Sequence, residues 1–229
     1  MFPIGHRSTL RVGLAHHGGA GALPEGLPGP LAVARGWGQQ VDRASRLVLP
    51  DSALVERVVG ERCRVALTGP VDDASDAAGA LLGMAELVRL GADGALSVAD
   101  VITVAERLAR SARTCGLAWD AAMALAAAER VLAVAHETRA TADVAAIRQR
   151  LGADGPPPPV TAPNGIRVVA WVESGLALPL VDGSCVLLPG GHPAGWLGVN
   201  WEAHHVPAGP RSRVSYAVRW HGSRPAVLW

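Results

Sequence analysis

The 229-residue chain contains no lysine, since all 21 of its basic residues are arginine. The missing amine excludes Schiff-base catalysis, attachment of pyridoxal phosphate and the lysine-containing phosphate-binding loop. Only three cysteines occur, and Cys63, Cys115 and Cys185 lack the spacing of a disulfide framework or a structural zinc site. The sequence therefore predicts no cofactor and no metal, and it indicates a reducing, cytoplasmic location.

An excess of charge of one sign is also missing, because 21 basic and 20 acidic residues leave a net charge of +1. Without a basic field, neither nucleic acid nor an anionic membrane surface is an expected partner. No uninterrupted apolar run reaches the roughly 18 residues of a membrane span. Residues 1–7 lack the basic cap and apolar run of a secretory leader. We therefore expect a soluble protein without such a leader.

The segment 51–152 has the apolar periodicity of about five helices separated by short breaks. Asp51 or Ser52 can cap the first helix, and Ser97 begins a capping-box-like pattern before the third. The fourth, from about Trp119 to Glu137, carries a stripe of small residues that lets helices approach closely. The short connections predict antiparallel neighbours, in a bundle or in part of a helical ring.

The flanks of this helical domain are irregular in composition. Residues 1–50 are predicted to form an irregular segment in which Thr9–Ala15 alternates as a short strand, followed by a glycine-rich loop with His16 and His17. After the helices, Gly155 and four consecutive prolines predict a stiff linker over 153–163.

Residues 164–229 hold five of the seven tryptophans and about six short strands punctuated by turns. Apolar and polar residues alternate over Arg213–His221, and Asp182-Gly183 is typical of a hairpin turn. Further strands are predicted over Ile166–Val172 and Gly198–His204. The expected fold class is α+β, with the helices followed by a small antiparallel β-sandwich domain.

Two stretches of this last segment carry a family resemblance. Trp201-Glu-Ala-His204 leading to Pro210, and Ser215-Tyr-Ala-Val-Arg-Trp-His-Gly up to Trp229, resemble the C-terminal β-domain of bacterial (α/α)6-toroid glycoside hydrolases, of the glycogen-debranching and glucoamylase-like kind. The pair Trp119-Asp120 is similar to that family's toroid helices. A complete toroid has more than twice the helices expected here, so the resemblance implies a reduced relative that binds an α-glucan or oligosaccharide with absent or reduced catalysis.

The residues beside tryptophans are the candidates for that site. Glycoside hydrolysis needs two facing carboxyl groups, and Asp120 and Glu202 are the best placed, although one lies on a helix and the other in the β-domain. The substrate-binding candidates are indole rings that can stack on a sugar, with one histidine: Trp119, Trp196, Trp201 and His204.

Two other interpretations remain open. Most of these rings can simply fill a core, which is the favoured interpretation for Trp171 and Trp220. The protein can also be a non-catalytic assembly module whose apolar helical face pairs with another copy or another chain. Self-association is expected under either function. A metal on Glu202, His204 and His205 is not predicted, because adjacent residues of a regular strand point to opposite faces.

Overall fold

The computed structural model describes residues 26, 28–152, 157–180 and 182–229. The chain divides into two compact units, residues 1–36 and 37–229. In the first unit, the described residues begin helix α1 and include the exposed side chains of Leu31 and Val33. The strand predicted over Thr9–Ala15, the pair His16-His17 and the linker residues Gly155 and Pro156 lie outside the described residues.

The helices precede most of the strands, so the fold is α+β as predicted. The helices are α1 (Pro30–Val41), α2 (Ser52–Thr68), α3 (Ala77–Arg89), α4 (Val98–Cys115), α5 (Trp119–Val134), α6 (Thr138–Gly152) and α7 (Arg167–Leu176). The strands are β1 (Arg46–Val48), β2 (Ala177–Pro179), β3 (Cys185–Leu187), β4 (Trp201–Pro207), β5 (Arg213–His221) and β6 (Arg224–Leu228). Short 3-10 turns cover Gly94–Ser97 and Ala194–Trp196.

Local signals define the ends of several helices. The Asp51 side chain accepts a hydrogen bond of 2.9 Å from the Leu54 amide and caps α2, as predicted. Asp76 caps α3 in the same way, through the Gly79 amide. The Ser97 side chain, in contrast, makes no capping hydrogen bond at the start of α4, so the capping box predicted there is wrong.

Helix α5 lies at the centre of the helical layer, between α3, α4 and α6. Twelve of its 16 residues are buried, most of them alanine. Small side chains on several faces allow three neighbouring helices to approach closely, and the predicted small-residue stripe is thus part of a mostly buried, alanine-rich helix.

The strand predicted over Ile166–Val172 is wrong, because this segment begins helix α7. A short run of β-branched apolar residues fits a buried strand or a buried helix equally well. The helix is the arrangement that buries Val168, Val172 and Leu176 on one face. Together with α1, which lies in a segment predicted to be irregular, α7 raises the number of helices from the five predicted to seven in the described part of the chain.

The main sheet has four antiparallel strands in the order β1-β4-β5-β6. Its first strand precedes the helices in sequence, and Leu47 pairs with Ala203 of β4. The alternating segment Arg213–His221 forms strand β5, as predicted, and its hairpin with β6 turns at Gly222. Strands β2 and β3 form the second predicted hairpin, in which the Asp182 carboxylate accepts a hydrogen bond of 2.8 Å from the Ser184 amide.

One hydrophobic cluster contains residues on both sides of 153–163, so the helical layer and the sheet share a core. It includes Leu125 and Val131 of α5, Val168 of α7, and Trp201 and Tyr216 of the sheet. The Tyr216 hydroxyl donates a hydrogen bond of 2.7 Å to the Leu176 carbonyl at the end of α7. None of the helices in the described residues combines the length and the apolar character of a membrane span.

Candidate functional site

A cleft of about 810 Å³ opens in the described part of the chain. Three indole rings from separate elements line it: Trp119 opens α5, Trp171 lies in α7 and Trp196 ends the 3-10 turn before β4. Prolines supply much of the remaining wall, namely Pro157, Pro158, Pro159, Pro189 and Pro193.

The surrounding structure holds each ring in place. Trp119 is 8% exposed. The Trp171 Nε1 donates a hydrogen bond of 2.8 Å to the Pro159 carbonyl, which fixes the ring against the proline segment. Trp196 packs edge-on against Trp201, with 5.3 Å between ring centroids. The cleft is therefore preorganised.

Polar side chains are scarce in the lining. Asp51 is the one carboxylate among the described lining residues, and it already accepts the Leu54 amide as the cap of α2. The Ser174 hydroxyl donates a weak hydrogen bond of 3.3 Å to the Trp171 carbonyl. The cleft can thus bind an apolar face, but its described lining does not present two facing carboxyl groups.

Asp120, the first predicted catalytic candidate, is in an ion-pair group that joins three helices. Its Oδ2 lies 2.8 Å from Arg167 Nε at the start of α7. The two Nη atoms of Arg167 each donate a hydrogen bond of 2.7 Å to the Asp76 carboxylate. These hydrogen bonds from Arg167 hold the pKa of Asp76 below its usual value. The arrangement indicates a structural function for Asp120.

Glu202, the second candidate, lies in β4 with different partners. Its Oε2 is 3.2 Å from His204 Nε2 and 3.4 Å from Arg219 Nη2. The contact with His204, and then the charge of Arg219, lower the pKa of Glu202. A carboxyl group with a lowered pKa is ionised at neutral pH and is a poor general acid. Asp120 and Glu202 share no partner in the described structure.

Trp201 and His204 were predicted to bind substrate, but neither lines the cleft. Trp201 is 1% exposed, and its Nε1 donates a hydrogen bond of 3.1 Å to His192 Nε2. His204 and His205 lie in a bulge between Ala203 and Val206, where His205 has a φ of 58°. The regular strand assumed for the two histidines is therefore interrupted. Within the described ranges, no three His, Cys, Asp or Glu residues are grouped so that they could hold a metal.

A buried ion network on the other side of α7 was not predicted. Glu173 accepts hydrogen bonds from Arg62 Nη2 (2.8 Å), from Arg89 Nη2 (2.7 Å) and from the Ser45 hydroxyl (2.7 Å). Glu86 pairs with the same two arginines, at 2.6 Å and 2.7 Å. The signal in the sequence is a charged residue at a position of a helix that faces inward. For Glu173 this position is recognised only when its segment is assigned to helix α7.

No family model, curated protein or solved structure matches this chain. The candidate function therefore depends on the cleft and its residues.

Proposed function

We propose that this chain is a binding protein whose tryptophan-lined cleft takes an oligosaccharide without cleaving it. The observation that carries the proposal is the convergence of Trp119, Trp171 and Trp196 on one cleft of about 810 Å³. The resemblance to the toroid glycoside hydrolases makes an α-glucan the first candidate, and a reduced toroid the proposed origin of the helical layer.

The physical argument is one of complementary surfaces. The flat apolar face of an indole matches the C–H face of a pyranose ring, and the partly exposed rings of Trp171 and Trp196 offer stacking positions, while the buried ring of Trp119 forms part of the cleft wall. A volume of about 300–1,000 Å³, mostly apolar and with few polar groups, is typical of small-molecule sites. Because the rings are fixed by packing and hydrogen bonds, little side-chain entropy is lost when a ligand binds.

The charges around the site favour binding without turnover. Glycoside hydrolysis requires one carboxyl group that stays protonated and a second that is ionised, on either side of the bond. Asp51 is a helix cap, and Asp120 and Glu202 each lie beside an arginine. All three carboxylates are therefore already engaged by other groups of the chain.

The test is a titration of tryptophan fluorescence with maltooligosaccharides of increasing length. A saturable change is expected for the unmodified protein. Trp196→Ala should weaken binding by at least tenfold, or about 1.4 kcal/mol. The matched control is Trp229→Ala, which removes a ring that is 93% exposed and does not line the cleft. Absence of any saturable change, or equal affinities for the two variants, would refute the proposal.

A second candidate function is an assembly module that binds a proline-rich segment of another chain. The chain's own Pro157–Pro159 segment lines the cleft, and Trp171 donates to its last carbonyl. Aromatic grooves bind extended proline-rich peptides in this way, because such peptides are stiff and present free carbonyl groups. A proline-rich peptide used as titrant in the same assay distinguishes the two candidates.

A further inference from the structure

The ion network beneath α7 continues into a larger group of buried and partly buried charges. Arg148 pairs with Glu129, next to the pairs that Glu86 and Glu173 form. The group has four arginines and three glutamates: Arg62, Arg89, Arg130, Arg148, Glu86, Glu129 and Glu173. It therefore carries one positive charge more than its carboxylates neutralise.

The guanidinium group of Arg130 in α5 carries this additional positive charge. Its Nε is buried and, among the described residues, has no hydrogen-bond partner and no carboxylate in an ion pair. Burial first, and then the charge of Arg89, lower the pKa of Arg130 to about 10. The guanidinium is still protonated at neutral pH. A guanidinium nitrogen that is buried without a partner is costly, so a counter-charge is expected beside it.

A small hollow lies beside this side chain. It has a volume of about 30 Å³, enough for roughly two water-sized groups. Arg130 and Arg148 both line it, and the Nε of Arg148 also has no partner among the described residues. Glu173 lines it as well, but its oxygens already accept bonds from Arg62, Arg89 and Ser45.

We propose that the hollow between Arg130 and Arg148 binds a small oxyanion of carboxylate or phosphate chemistry. Guanidinium groups match the planar, multiple acceptors of such anions. The hollow has room for about two water-sized groups, so it admits two oxygens of a carboxylate or phosphate group whose remaining atoms lie outside it, but not a sugar ring. The proposal does not depend on the oligosaccharide cleft, although Met123 and Ser174 line both sites.

Thermal unfolding tests this site, with sodium chloride replaced stepwise by sodium phosphate or sodium acetate at constant ionic strength. The unfolding midpoint should rise by a few degrees as the site fills, and it should saturate. Arg130→Met should abolish the rise. Arg150→Met is the matched control, because this exposed arginine lies on α6 and donates a hydrogen bond to the Ala146 carbonyl of its own helix. The control should retain the rise.

Two results would overturn the proposal. The first is an unfolding midpoint that is the same in chloride as in phosphate or acetate, and the second is an Arg130→Met variant whose midpoint still rises with the oxyanion. Equilibrium dialysis of the unmodified protein against radiolabelled phosphate gives a measurement that needs no variant. One saturable site per chain is expected, and the absence of saturable binding also refutes the site.

Discussion

Replacing Glu173 by glutamine should destabilise the protein more than any exposed glutamate-to-glutamine change. Glu173 is 5% exposed and accepts hydrogen bonds from Arg62, Arg89 and Ser45. Burial alone raises the pKa of this carboxyl group, but the charges of Arg89 and Arg62 outweigh it and lower the pKa to about 2. Glutamine keeps the shape but removes the negative charge that both guanidinium groups require.

The expected loss follows from these contacts. A pKa that falls from 4.5 to about 2 on folding corresponds to about 3 kcal/mol of stability at neutral pH. Breaking a buried ion pair by removing one partner typically costs roughly 3–5 kcal/mol, which agrees. Urea unfolding at pH 7, followed by circular dichroism, should show a lower midpoint with an unchanged slope.

Glu61→Gln is the matched control for this experiment. Glu61 pairs with Arg64 at 2.8 Å on the partly exposed face of α2, where such pairs contribute at most about 1 kcal/mol. Equal losses of stability in the two variants would refute the reasoning.

The pH dependence of the loss supplies a second check. Because folding lowers the pKa of Glu173, its contribution is fully present above pH 4.5 and is lost as the pH falls towards 2. The difference in stability between the unmodified protein and Glu173→Gln should therefore shrink across that range. A difference that stays constant down to pH 2 would contradict the assignment of the loss to this charge.

Two further predictions concern packing and assembly. Gly83→Ala in α3 places a methyl group 2.8 Å from the Pro70 Cβ and should lower the free energy of unfolding by about 1–3 kcal/mol. Gly60→Ala in α2 meets nothing within 4 Å and should raise it by about 0.5–1 kcal/mol. Urea unfolding of both variants measures these changes. If the protein self-associates through its apolar helical face, its apparent molecular mass in sedimentation equilibrium should increase with protein concentration. The mass of a monomer at all concentrations would contradict this prediction.

The helices between residues 51 and 152 and two hairpins could be predicted because their signals are local. The cap at Asp51 and the alternation over Arg213–His221 each act within a few residues. Each of these elements appears in the structure close to its predicted range. The Asp182-Gly183 turn is likewise specified by its own backbone and side-chain hydrogen bonds.

Strand β1 could not be predicted in the same way, because its three residues become a strand only by pairing with β4. Arg46, Leu47 and Val48 meet partners more than 150 positions later in the chain. Leu47 points to the core, while its two neighbours are exposed, a pattern too short to separate from a loop. The formation of strand β1 therefore depends on its long-range pairing with β4.

The prediction of a strand where helix α7 lies accounts for two features of the site that were not predicted, namely Trp171 in the cleft and the ion pairs of Glu173. In a strand, Trp171 and Glu173 would share a face, because side chains alternate with a period of two. In a helix they are separated by about 200° around the axis. Trp171 therefore lines the cleft, while Glu173 reaches the arginines on the other side. Because the segment is a helix and not a strand, Trp171 and Glu173 lie on different sides of it. The contribution of Trp171 to the cleft and the burial of Glu173 can therefore be predicted only when the helix is recognised.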